Sequence, residues 1–173
     1  MQTQKPFKVL FLCSGNSARS IFAEYITKIV APGRFEAFSA GSEPRGEVHP
    51  MTLRVLKEVY HLEASDAKSK SWEEFRSQEA DFDFVITVCD HARDTCPTWP
   101  GQPIIAHWGS QDPVAAQGSD EEVFKVFKNV SIEIRRRIEL FASLPFEKLD
   151  RFRLEEMTKA IGVTRETADT EGA

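Results

Sequence analysis

The chain has 173 residues, 41% of them hydrophobic and 28% charged, a length and balance that fit one globular domain. Its formal net charge of −5 argues against nucleic acid or an anionic membrane surface as an obligate partner, because both select a basic face. No apolar run is long enough to span a bilayer, and the start, Met1-Gln2-Thr3-Gln4-Lys5-Pro6, lacks the apolar core of a signal peptide, so a cytoplasmic location with cysteines resting as thiols is expected.

Residues 7–12 form a nearly continuous apolar run, which reads as a buried parallel strand. A loop of small residues follows, and Ile21, Phe22, Tyr25, Ile26, Ile29 and Val30 then recur at helical spacing until Pro32-Gly33 stops the helix. Residues 35–40 read as a second strand ended by Gly41, and residues 50–60 as a second helix. Ser71 and Glu74 have the spacing of a capping box at a further helix start. Residues 82–88 are a third strand ending at Cys89, and residues 90–101, with Pro97 and Pro100, read as a loop.

Residues 104–108 make a fourth strand, and residues 111–119 a loop containing Asp112-Pro113. Ser119-Asp120-Glu121-Glu122 opens a long helix whose apolar stripe is Val123, Phe127, Val130, Ile134, Ile138 and Phe141. Arg135, Arg136 and Arg137 are placed near its C-terminal end, as a solvated face. A short amphipathic helix follows Leu149, and residues 163–173 are polar and expected to fray. The order implies an α/β fold, a doubly wound, mostly parallel four-stranded sheet flanked by helices. Residues 1–145 are expected to form the main domain and residues 146–173 a C-terminal helix and polar tail.

Three cysteines, Cys13, Cys89 and Cys96, are too few and odd in number for a disulfide framework, and read as reactive thiols. The strongest signal is Cys13 and Arg19 with five small residues between them, set between a buried strand and a helix. Ser14, Gly15, Asn16, Ser17 and Ala18 can turn their backbone N–H groups inward as an anion nest, with the helix start behind them. Gly15 and Asn16 tolerate left-handed backbone angles. Arg19 offers a planar fork to two oxygens of a tetrahedral oxyanion. In that positive field Cys13 is expected to have a lowered pKa, with Ser20 donating to the sulfur.

Residues 9–20, Val-Leu-Phe-Leu-Cys-Ser-Gly-Asn-Ser-Ala-Arg-Ser, resemble the active-site loop of the low-molecular-weight protein tyrosine phosphatase superfamily. Asp112-Pro113 is similar to that family's general-acid motif, but Val114 and Ala115 stand where those phosphatases usually carry aromatic residues. Thr87-Val88-Cys89-Asp90, Cys96-Pro97, and His107-Trp108-Gly109 ahead of Asp112-Pro113 resemble the thiol-dependent arsenate reductases built on the same fold. The resemblance covers residues 7–145. It implies that Cys13 attacks arsenate, Asp112 protonates a departing oxygen, Cys89 attacks Cys13 to release arsenite, and Cys96 attacks Cys89. It also implies recycling by thioredoxin, or by glutaredoxin with glutathione, and in some members a potassium ion near Asn16, Glu24 and Ser39. The alternatives are a phosphatase acting on phosphate monoesters and a non-enzymatic oxyanion or thiol sensor. A metal site of Cys89, Cys96, His91 and His107 lacks the spacing of zinc knuckles, and none is expected. Trp99, Trp108 and His107 read as packing around the site.

Overall fold

A computed structural model describes residues 5–77 and 79–163. The elements in chain order are β1 Phe7–Cys13, α1 Arg19–Val30, β2 Phe35–Gly41, α2 Pro50–Tyr60, β3 Phe84–Thr87, α3 Asp90–Thr95, β4 Ile104–His107, α4 Asp120–Ala142 and α5 Arg151–Ile161. Short 3-10 turns lie at Trp72–Phe75, Pro113–Ala115 and Phe146–Lys148. The expected frayed tail falls beyond Val163, outside the described residues. Among those residues no helix is long and apolar enough to cross a membrane.

The sheet has the order β2-β1-β3-β4 and is parallel throughout. Its two central strands are shielded on both faces, so β1 keeps Val9, Leu10, Phe11 and Leu12 fully buried and all of β3 is buried. The edge strand β4 instead alternates, leaving Ile105 in solvent. Helix ends follow local chemistry. His49 caps α2 by accepting the Met51 amide at 3.0 Å, with Pro50 in the first turn. Ser119 caps α4 by accepting the Glu122 amide at 3.2 Å.

Two sequence expectations need correction. Residues 90–95 are helical rather than loop, because Cys89 caps the segment and Asp90 sits in its first turn; the chain leaves the helix at Cys96, before Pro97. The arginine run does not share one solvated face. Arg135 is exposed and paired with Glu139 at 2.8 Å, but Arg137 is only 2% exposed. Arg137 is five residues from the helix end at Ala142, and the last turn of α4 holds no basic residue. The apolar stripe explains this: Val130, Ile134, Arg137 and Phe141 follow one another at helical spacing, so Arg137 lies in the buried seam.

Aromatic packing closes the base of the sheet. Phe141 of α4 stacks on Phe35 at 5.0 Å and meets Phe84, Trp108 and Phe146 edge-on at 4.9, 5.4 and 5.3 Å. The helix α5 packs on β4, where the Trp108 indole donates to the Thr158 carbonyl at 3.0 Å. Phe141→Ala is expected to cost about 3–5 kcal/mol of stability, measured by urea denaturation.

Candidate active site

The chain leaves β1 toward β2 on one side and, later, enters β3 on the other, so the carboxyl ends of β1 and β3 form the crevice of a doubly wound sheet. Residues 14–18 occupy it. The carbonyls of Ser14, Gly15 and Ser17 are bonded to the segments that surround the loop. Those of Ser14 and Gly15 accept the amides of Glu43 and Arg45 at 2.9 and 3.0 Å, and that of Ser17 accepts the His49 amide at 3.0 Å and the Thr52 hydroxyl at 2.8 Å. Peptides held by their oxygens on the outside present N–H groups to the inside. Ala18 at the N-cap of α1 supplies no side-chain cap, which leaves the first-turn amides for an anion.

Asn16 alone in this loop takes the left-handed conformation, at φ 46°. Gly15 does not; its missing side chain makes room for Arg45, whose Nε lies 3.0 Å from where a Cβ would sit. The Asn16 amide is fully used. Its nitrogen donates to Ser20 Oγ at 2.7 Å and Ser39 Oγ at 3.1 Å, and its oxygen accepts the Lys70 amide at 2.8 Å.

Cys13 Sγ lies 2.8 Å from Ser20 Oγ and accepts the Asn16 amide at 3.2 Å. Because Ser20 already accepts from Asn16, its own hydrogen is free to point at the sulfur. The expectation of a lowered pKa is corrected: burial of the sulfur, 3% exposed as a residue, pushes the thiol above its ordinary value. The Ser20 hydroxyl and amide and the Arg19 guanidinium oppose that rise, and Cys89 adds to it. The field read from the sequence is present; desolvation outweighs it.

Arg19 is steered from the fourth-strand side. Its Nη1 donates to the Ser110 carbonyl at 3.1 Å and its Nη2 lies 3.7 Å from Asp112 Oδ2. Asp112 in turn accepts the Val114 amide at 3.0 Å, which fixes it at the head of the Pro113–Ala115 turn. Behind this loop, buried Arg137 donates to the carbonyls of Gly109 at 2.8 Å and Gly162 at 3.4 Å. Sequence reasoning missed that brace, although its signal was an arginine inside an apolar stripe.

Cys89 Sγ lies 3.3 Å from Ser14 Oγ and accepts the Ala92 amide at 3.4 Å. Cys96 terminates the same helix at the other end, half-buried, accepting the Trp99 indole N–H at 3.3 Å. Ser14, Arg19, Cys89 and Cys96 line one open cavity of about 1310 Å³. His107 bridges the Thr87 hydroxyl at 2.8 Å and Asp90 at 3.0 Å, tying β4 to the start of α3, while His91 faces Glu43 at 3.8 Å. Among the described residues no group of three or more His, Cys, Asp or Glu side chains is placed to hold a metal ion.

Asn16, Glu24 and Ser39 do come together, but as a satisfied chain. Ser39 donates to Glu24 at 2.6 Å, and the buried carboxylate meets the Lys28 ammonium at 3.2 Å and that of Lys70 at 4.0 Å. Asn16 turns its nitrogen, not its oxygen, toward Ser39. Two ammonium groups and a misdirected amide do not fit a potassium ion.

The family model "Low molecular weight phosphotyrosine protein phosphatase" matches residues 8–152. A curated arsenate reductase of Halalkalibacterium halodurans is 40% identical over 134 residues, covering 78% of this chain and 94% of the relative. A solved structure of an arsenate reductase in the phosphate-binding state superposes with a TM-score of 0.66 at 31% identity, over 79% of this chain and 97% of that one. A low molecular weight protein tyrosine phosphatase from T. tengcongensis superposes with a TM-score of 0.64 at 26% identity, over 80% and 99% of the two chains.

Ser20→Ala removes a group that lowers the Cys13 pKa, so the pH midpoint of Cys13 alkylation by iodoacetamide is expected to rise by about one pH unit. Thermal denaturation is expected to give the same midpoint in potassium and sodium chloride; a specific rise with potassium would show that the Glu24 site takes the ion after all.

Proposed function

The chain belongs to the low molecular weight phosphotyrosine protein phosphatase family, and within it we propose that this protein is an arsenate reductase working through three thiols. The observation that carries the reading is Cys89 Sγ set against Ser14 of the anion loop, beside the enclosed Cys13. Hydrolysis of a phosphate ester uses one sulfur; a second one at this place serves an exchange of electrons.

Arsenate enters the loop residues 14–18, its oxygens received by inward N–H groups and by Arg19. Cys13, held as a thiol before substrate arrives, passes its proton to an arsenate oxygen and attacks arsenic as the thiolate. Asp112 protonates the departing oxygen, which leaves as water. Cys89 then attacks Cys13 Sγ; the arsenic–sulfur bond breaks with its electron pair staying on arsenic. Arsenic(V) becomes arsenite, and the two thiols become the Cys13–Cys89 disulfide. Cys96 displaces Cys13 from Cys89, which restores the nucleophile and moves the oxidation outward. An external dithiol such as thioredoxin, or glutathione with glutaredoxin, reduces Cys89–Cys96.

The third step requires movement. Cys89 and Cys96 are the two caps of α3, and a helix of six residues rises about 9 Å, beyond the Cα separation of at most about 7 Å that a disulfide spans. So α3 unwinds when Cys89–Cys96 forms. Six residues are too few for a helix to persist without its flanking contacts, which makes the unwinding cheap.

Cys89→Ser and Cys96→Ser are each expected to abolish repeated arsenate turnover while sparing any hydrolysis of p-nitrophenyl phosphate. Normal turnover by both variants would remove the relay and leave a phosphatase. Amide hydrogen exchange over residues 90–96 is expected to be slow in the reduced protein and fast in the oxidised one; equal protection in both states would show that α3 does not open.

A further inference from the structure

We propose that Trp99 is the positioning residue of the third thiol: its indole N–H holds the Cys96 sulfur at the outer end of α3 and favours that sulfur as the anion that attacks Cys89. The inference rests on the relay reading above.

An indole N–H is a donor only, and a buried tryptophan needs an acceptor for it. Trp99 is 3% exposed, and its Nε1 finds Cys96 Sγ at 3.3 Å. The other polar neighbour of that sulfur is the Pro97 carbonyl oxygen at 3.6 Å, which accepts from the thiol and offers nothing to the thiolate. Deprotonation therefore loses the weaker contact and strengthens the other, since a donor aimed at sulfur favours its charged form. Burial pushes the Cys96 thiol up, and Trp99 opposes it.

The ring is a fixed donor rather than a passenger. It stands edge-on to Phe82 at 6.3 Å and directly precedes Pro100, which restricts its backbone to extended angles. Packing alone would be served by any large apolar side chain; only the N–H addresses the sulfur. In the exchange step, the Cys96 proton goes to solvent and the thiolate attacks Cys89 Sγ. The Cys89–Cys96 bond forms, the Cys13–Cys89 bond breaks, and its electron pair leaves on Cys13. The sulfur must leave the indole to make that bond, so Trp99 sets both the readiness of the thiolate and its parking place.

Trp99→Phe keeps a ring and deletes the donor. The pH midpoint of Cys96 alkylation is expected to rise by about one pH unit. In a single turnover with arsenate near neutral pH, Cys89–Cys96 formation is expected to slow roughly threefold rather than tenfold, because a more basic thiolate is a better nucleophile. Cys13–Cys89 formation keeps its rate, so that disulfide accumulates, and the deficit closes as pH rises past the Cys96 midpoint. A ring that merely fills space would give a deficit at every pH. In the unaltered protein, without arsenate, the Trp99 indole N–H resonance is expected to titrate with Cys96 and to stop doing so in Cys96→Ala. An unchanged alkylation profile in Trp99→Phe, or a resonance indifferent to Cys96, would overturn the proposal. Repeated turnover by Cys96→Ser would overturn the relay instead, without touching the titration.

Discussion

A buried asparagine in a left-handed conformation holds this molecule's chemistry in place. Asn16 has no exposed surface and a φ of 46°, a left-handed conformation that asparagine adopts more readily than other residues with a side chain. It persists because every polar atom of its side chain is engaged, by Ser20, Ser39 and the Lys70 amide, while its own amide reaches Cys13 Sγ. The close fit extends to β2: a Cβ on Gly41 would lie 2.4 Å from the Ser14 carbonyl oxygen and 3.1 Å from the Asn16 nitrogen. The anion loop is thus clamped between its own asparagine and the neighbouring strand, and the line of hydrogen bonds runs on through Ser39 to the buried Glu24 carboxylate and its two lysines. The hydrogen-bond line that ends at the sulfur is anchored at its other end by charge.

On that rigid floor sits a segment of opposite character. Both remaining thiols are helix caps, so in the proposed relay the groups that end α3 are the ones whose bonding changes. Asp90 is held by His107, and Cys96 by Trp99. The anion loop could serve hydrolysis and reduction alike; under the proposed relay, the caps of one short helix separate the two chemistries.

Much of this was legible in the chain. The four strands, the crevice between the first and third, and the group Cys13, Arg19 and Ser20 follow from apolar runs and from small residues at a strand-to-helix turn. What escaped was of two kinds. Desolvation depends on the whole enclosure of a sulfur, so the direction of the Cys13 shift could not be read from its neighbours in sequence. Side chains serving distant partners were also hidden. Arg137 looked like part of a basic run until its position in the stripe of α4 was set against Gly109, and Trp99 looked like packing until its N–H was found on Cys96. The helix between the two outer cysteines was obscured by the prolines that follow it.

The final helix reaches further inward than its place in the chain implies. Trp108 leans on Thr158, and a Cβ at Gly162 would overlap the His107 carbonyl, 2.0 Å away. Gly162 also shares Arg137 with Gly109, the entry to the strand of backbone that steers Arg19. Fragment boundaries borrowed from the matched residues, 8–152, would sever α5 after its second residue. Such a truncated species would uncover an indole, strip a buried guanidinium of its Gly162 contact and slacken the rim of the site from behind, so trimming this polypeptide for crystallisation or display is an edit to its candidate active centre.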